Sequence, residues 1–213
     1  MFKKLMMACM AIAAFAAFVI APAASASPVL THEGTAVAVH PATETCEKNP
    51  SGCIEGKNTE ETLFTGAFNV HCNTAVLKGW VTQNNGSQIK GTIPVGNASF
   101  TSSGGDCTSA LGATKVTVTS ELCIETVVGS DNATTTGCGS NVVFDLEVTG
   151  TGNCKYSTAS VSGTFKTNAG ATINISEQEA KKVEGGFFCP SSGKLDMDFD
   201  LYTLGGKTQL TIS

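Results

Sequence analysis

The sequence predicts an all-β protein: a disulfide-stapled sandwich or barrel of about ten to twelve short strands, built from two similar halves. Three observations carry this. Thr, Ser, Gly and Val dominate while charged residues are few, which favours strands over helices. Period-two alternation recurs along the chain and is interrupted by Gly and Asn turn signals. The stretch Cys72 to Cys107 is echoed by Cys154 to Cys189, with the same Cys-to-Cys separation and similar intervening text.

The alternation is clearest in Val142, Phe144, Leu146 and Val148 against Val143, Asp145 and Glu147. It recurs in Leu195, Met197, Phe199 and Leu201 against Asp196, Asp198 and Asp200. Between Thr74 and Val81 the face Ala75, Leu77, Gly79, Val81 opposes Thr74, Val76, Lys78, Trp80. Asn85-Gly86 then marks a tight hairpin with a return strand over Gln88 to Ile93. Residues 41 to 61 read as irregular, a surface loop closed by a local bridge, and Gly129 to Ser140 reads as polar loop. Ser176-Glu177-Gln178-Glu179 has the form of a capping box, but the repeat places it opposite strand-and-turn text, so no long helix is expected there.

In the repeat, Thr74-Ala75-Val76-Leu77-Lys78-Gly79-Trp80-Val81 running to Asn84-Asn85-Gly86 corresponds to Thr158-Ala159-Ser160-Val161-Ser162-Gly163-Thr164-Phe165 running to Asn168-Ala169-Gly170. The cysteines are offset by 82 positions and the threonines by 84. The slip of two is even, so inward and outward faces keep their parity, as a structural repeat requires. The organisation expected is a leader over 1–26, an N-terminal strand and stapled loop over 27–61, and a duplicated domain over 62–213 with halves near 62–125 and 142–213.

The leader is predicted from Lys3 and Lys4, the apolar run Leu5 to Ile20, and Ala24-Ser25-Ala26 before Ser27, the pattern of a cleaved secretory signal. Removing 26 of the 213 residues leaves 187, with no later apolar run long enough to span a bilayer. Eight cysteines then remain: Cys46, Cys53, Cys72, Cys107, Cys123, Cys138, Cys154 and Cys189. An even count in an exported chain predicts four disulfides in an oxidising space, secreted or at the cell surface. Eight cysteines allow 105 connectivities. Two like halves favour Cys72–Cys107 and Cys154–Cys189, leaving Cys46–Cys53 and Cys123–Cys138 as local bridges.

All thirteen basic residues are Lys, and the mature chain carries eleven of them against eighteen acids. Such a surface repels phosphate backbones, and without Arg it lacks the usual bidentate reader of phosphate and guanine. Nucleic acid and anionic membrane surfaces are therefore not expected as partners.

No catalytic constellation emerges. His32, His40 and His71 are scattered, and there is no Gly-x-Ser-x-Gly. His71 beside Cys72 suggests a metal pair, yet neighbouring strand residues point to opposite faces and the cysteine is expected to be oxidised. Asp196, Asp198 and Asp200 would suit calcium. On a strand, however, they stand roughly 7 Å apart, which predicts a solvated acidic face instead. No cofactor is called for. Trp80, the sole Trp, aligns with Thr164 in the second copy and is the one candidate binding residue. Exposed, it would stack on a sugar or an apolar partner; its parity with Cys72 favours burial beside that disulfide.

The run Cys72 with Thr-Ala-Val-Leu-Lys-Gly-Trp-Val-Thr, the segment Gly105-Asp106-Cys107-Thr108-Ser109-Ala110-Leu111-Gly112-Ala113-Thr114, and Phe188-Cys189-Pro190-Ser191-Ser192-Gly193-Lys194-Leu195-Asp196 resemble uncharacterised secreted β-rich proteins of actinobacteria. The resemblance implies a compartment rather than an activity. The function expected is an exported, non-enzymatic binding or structural module with an unknown surface or extracellular partner. The alternatives are a filament or surface-layer subunit that donates the Ser27–Val39 strand to a neighbour, and a secreted hydrolase with an unfamiliar site.

Overall fold

The computed structural model describes residues 28–58, 60–66, 68–126, 131–166 and 170–212. The expected leader, the start of the Gly129–Ser140 loop and Asn168-Ala169 of the second turn lie outside these residues. The described chain is all strand and turn. In order, the strands are β1 (Leu30–His32), β2 (Thr35–Ala36), β3 (Cys53–Asn58), β4 (Thr62–Thr65), β5 (Val70–Cys72), β6 (Thr74–Asn84), β7 (Ile89–Ile93), β8 (Ala98–Thr101) and β9 (Cys107–Ser109). They continue with β10 (Gly112–Val118), β11 (Leu122–Thr126), β12 (Asn132–Thr136), β13 (Val142–Val148), β14 (Gly152–Thr158), β15 (Val161–Lys166), β16 (Thr172–Gly185), β17 (Ser192–Thr203) and β18 (Thr211–Ile212).

Among the described residues, eighteen strands exceed the ten to twelve expected, because short pieces such as β5 and β9 leave too little alternation to be read. Two strands fall where loops were expected. The stretch 41–61 contains β3, in which Ile54 and Gly56 alternate with Glu55 and Lys57. Gly129–Ser140 contains β12, a polar run carried by the β propensity of three consecutive Thr. The capping-box residues Ser176–Glu179 lie inside β16, the longest strand.

Every ladder is antiparallel, and the pairings return on themselves twice. One circuit runs β3, β6, β7, β11, β12, β15, β16, β17 and back to β3. The other runs β4, β5, β9, β10, β13, β14, β16, β17 and back to β4. The hairpin β16–β17 belongs to both. Thr172–Asn174 pairs with β15 in the first circuit, and Lys181–Gly185 pairs with β14 in the second. A register shift between Ile175 and Gln178 separates the two halves. There Glu177 takes a left-handed backbone at φ 49°. β8 is attached to the near end of β6, and β1, β2 and β18 form a small separate sheet.

The alternating apolar residues do what the pattern predicts. Val142, Phe144, Leu146 and Val148 of β13 are buried, as are Leu195, Met197, Phe199 and Leu201 of β17, and both sets join one continuous core. Each such side chain contributes roughly 1.5–3 kcal/mol on burial. Disulfides join Cys46–Cys53, Cys72–Cys107, Cys123–Cys138 and Cys154–Cys189. These are the pairs favoured by the repeat. Four bridges point to an oxidising, extracellular environment, and no helix among the described residues is long and apolar enough to cross a membrane.

Candidate functional site

Odd-numbered residues of β6 face inward: Ala75 and Val81 are fully buried, while Thr74, Lys78 and Thr82 are exposed. Trp80 therefore belongs to the outer face. It does not continue the face of Cys72, because Asn73 interrupts the chain between β5 and β6 and the two strands enter different circuits. The expected packing of Trp80 beside the Cys72–Cys107 bridge is thus corrected. Trp80 stands opposite Cys53 on β3, and His40 covers it with ring centroids 5.5 Å apart. The indole is half-buried. Thr164, with which the sequence aligns it, is exposed on β15.

The cover over Trp80 is built from the N-terminal segment. Asn84 accepts from the Leu30 N–H at 2.8 Å and donates to the Leu30 and Val37 carbonyls at 2.8 and 2.9 Å. The His40 N–H donates to Val81 O, and the Val81 N–H to Gly52 O, each at 2.9 Å. Gly52 has φ 75°, and a Cβ there would collide with the His40 backbone. His40 is 3% exposed, with Nε2 3.0 Å from Asn49 O and Nδ1 buried without a partner. Ligand-capable atoms of His40, Cys46 and Cys53 lie within 4.8 Å of one another. Both sulfurs are bonded to each other, so neither is the thiolate a soft metal requires.

Alongside this cover, the outer face of β3 and β6 floors an open groove of about 680 Å³. Its walls are the Cys46-Glu47 loop, the Gly96-Asn97 turn with Ser99, and the Leu204-Gly205 turn. Glu55 on the floor faces Lys78 across the ladder. The Glu55 carboxylate is almost fully buried, accepts from the Gly205 N–H at 3.1 Å and pairs with Lys57 Nζ at 2.7 Å. The same ammonium lies 5.0 Å from the centroid of the Tyr202 ring. Glu55, Lys57, Lys78 and Tyr202 were not singled out from the sequence. The alternation Ile54-Glu55-Gly56-Lys57, weakened by Gly56, is the signal that bears on Glu55 and Lys57.

The three acids on β17 lie on its partly exposed face, opposite the buried Leu195, Met197 and Phe199, and each also has a cross-strand partner. Thr172 donates to Asp200 at 2.6 Å and Asn174 donates to Asp198. Asp196 accepts from the Glu177 N–H at 2.6 Å and from Ser176 Oγ at 3.4 Å. Thr172, Asn174 and Ser176 alternate opposite the aspartates, making the column a hydrogen-bonded ladder along the shared hairpin. The other histidines stand apart from this groove. His71 is half-exposed and pairs with Glu61 at 3.0 Å, facing away from buried Cys72, and His32 lies on β1.

Between the strands of the first circuit lies a cavity of about 70 Å³, walled by side chains such as Leu77, Ile124, Val161, Ile173, Met197 and Phe199 and reached also by Val118 and Phe144 of the second circuit. Glycines at 56, 79 and 91 thin this wall. A Cβ at Gly79 would collide with the Thr92 carbonyl oxygen, so the close approach of β6 and β7 requires glycine there. At about 24 cal/mol per Å³, leaving the cavity empty costs about 2 kcal/mol. Comparison with family models, curated proteins and solved structures finds no match for this chain.

Proposed function

We propose that this chain is an exported, non-enzymatic binding module of the extracellular space, and that the groove over β3 and β6 is its ligand face. The observation that carries this reading is the construction of the groove. Its floor is part of a closed strand circuit, one wall is pinned by the Cys46–Cys53 bridge, and its volume falls in the range of small-ligand sites. Glu47, Lys78, Asn97 and Ser99 offer a ligand both charge signs and neutral hydrogen-bonding groups, which suits a polar, zwitterionic ligand such as a short peptide.

Export is supported by the four bridges, by the leader pattern, and by the resemblance to secreted actinobacterial β-rich proteins. We read each circuit as a barrel, since eight strands enclose an interior just wide enough to fill with side chains. We read the hairpins β6–β7 and β15–β16 as products of one duplication. The equal separation of 35 residues within Cys72–Cys107 and Cys154–Cys189 supports this.

Filament assembly by strand donation is the weaker reading, because β1 is paired on both edges within its own chain, to β18 and to β2, and Leu30 is buried. Two measurements test the proposal together. Size exclusion and electron microscopy at high concentration should find a monomer. Calorimetric titration with a library of short peptides should find saturable binding that Lys78→Ala weakens by tenfold or more. Concentration-dependent filaments with no saturable peptide binding would overturn the reading in favour of assembly.

A further inference from the structure

The cavity within the first circuit is a second feature, physically separate from the groove. It is reached from all eight strands of that circuit and also by Phe100 of β8, Val118 of β10 and Val142 and Phe144 of β13, so its shape is set by the strands and the core they share rather than by any loop. The side chains on the inward register are overwhelmingly aliphatic or aromatic. Thr135 is the inward lining residue with a hydroxyl. Thr92 and Trp80 reach the wall from positions whose side chains point outward, Thr92 toward Cys123 and Trp80 toward His40.

A cavity of about 70 Å³ exceeds several times the roughly 10–15 Å³ that one water needs. A water also needs about two to four polar partners, and this wall does not supply them. Spaces of this kind stay dry and accept xenon or a small hydrocarbon instead. The phenyl ring of Phe199 and the thioether of Met197 add polarisable surface, which raises the dispersion attraction for such a guest.

We propose that the first circuit takes up one small apolar molecule in this cavity, of a size between a xenon atom and a single benzene ring. Recognition is by shape and dispersion alone. A charged or strongly hydrogen-bonding molecule of the same size is rejected, because its polar groups would be stripped of water without replacement. This site does not depend on the groove, and either can fail without the other.

The test uses the mature, oxidised protein, with xenon and benzene as probes. Crystals held under xenon pressure should carry a xenon peak inside the first circuit. Benzene in solution should raise the melting temperature in a saturable way, while acetamide should not. Two variants occupy the space from different sides. Val161→Phe fills it from β15. Gly56→Ala adds one methyl from β3, where the new Cβ would meet Phe199 at an ordinary 3.5 Å, so it serves even if the larger substitution does not fold. Each folded variant should lose the xenon peak or show at least a tenfold weaker benzene effect. No xenon peak and no benzene shift would overturn the proposal. So would an equal benzene shift in both filled variants, which would place the binding elsewhere.

Discussion

Tyr156 on β14 is 4% exposed and its hydroxyl donates to Pro190 O at 3.3 Å. Burial pushes its pKa from 10.0 up to about 12, because the phenolate would be poorly solvated there. The folded state therefore favours the protonated phenol. That contribution is fully present below pH 10 and is lost as pH rises through about 12. Melting temperatures followed from pH 8 to 12 should fall more steeply for the native protein than for Tyr156→Phe over the upper two units. Parallel curves would show that the phenol does not titrate with folding. At neutral pH the substitution should cost about 1 kcal/mol for the lost hydrogen bond. On the surface, Lys155 and Glu184 pair at 2.7 Å. Their hydrogen bond raises the Lys155 pKa and lowers that of Glu184, but an exposed pair of this kind contributes little to stability.

At the scale of elements, the shared hairpin holds its strain at one place. Glu177 sits at φ 49° where the register of β16 shifts, a conformation that costs an L-residue with a side chain about 1–2 kcal/mol. Its side chain reaches only an exposed partner, Lys194, at 3.4 Å, whereas its backbone N–H makes the bond to Asp196. Glu177→Gly keeps that bond and should stabilise the protein by about 0.5–1 kcal/mol in denaturant unfolding. A loss of stability instead would mean that the side chain matters more than the backbone. The bridges differ in the length of chain they close. On loop entropy, the 35-residue closures are worth about 3.8 kcal/mol each and the 7-residue closure Cys46–Cys53 about 2.4 kcal/mol. Paired Cys→Ala variants should therefore lose stability in that order. A larger loss on opening Cys46–Cys53 would show that the bridge acts mainly through the packing of His40 on Trp80.

At the scale of the whole molecule, two circuits that share β16 and β17 cannot open independently without breaking ladders in that hairpin. Amide hydrogens on Ile173, Ile175, Met197 and Phe199 should exchange only through global unfolding, and as slowly as those on Leu146 of the second circuit. Fast exchange confined to β3, β6 and β7 would instead mean that the first circuit opens by itself. Closure also bears on association. Paired strands offer neighbours no template, and the open edges are short, on β8 and on the small sheet of β1, β2 and β18.

What could be read from the residues was what is local. Alternation over β6, β13 and β17 marked those strands, and over β13 and β17 it also marked the inward faces, since successive side chains on a strand point to opposite sides. The equal spacing of Cys72 to Cys107 and Cys154 to Cys189 favoured the disulfide pairs. The composition carried the all-β class. β12 was missed because Asn-Ala-Thr-Thr-Thr carries no apolar alternation, and β3 because Gly56 and the preceding Pro50-Ser51-Gly52 turn hide its period.

The sequence by itself determined the class, the alternating faces and the covalent staples. The tertiary structure alone decided which strands meet. Thr172, Asn174 and Ser176 answer the β17 aspartates only because β16 pairs with β17 in one register. Trp80 rests under His40 only because the N-terminal segment returns across β6. The cavity exists only where the eight strands of the first circuit meet Val118, Val142 and Phe144 of the second. Ladder partners are chosen by contacts among residues far apart in the chain, where the entropy of loop closure is set against burial summed over the whole core. No short window of sequence contains that balance.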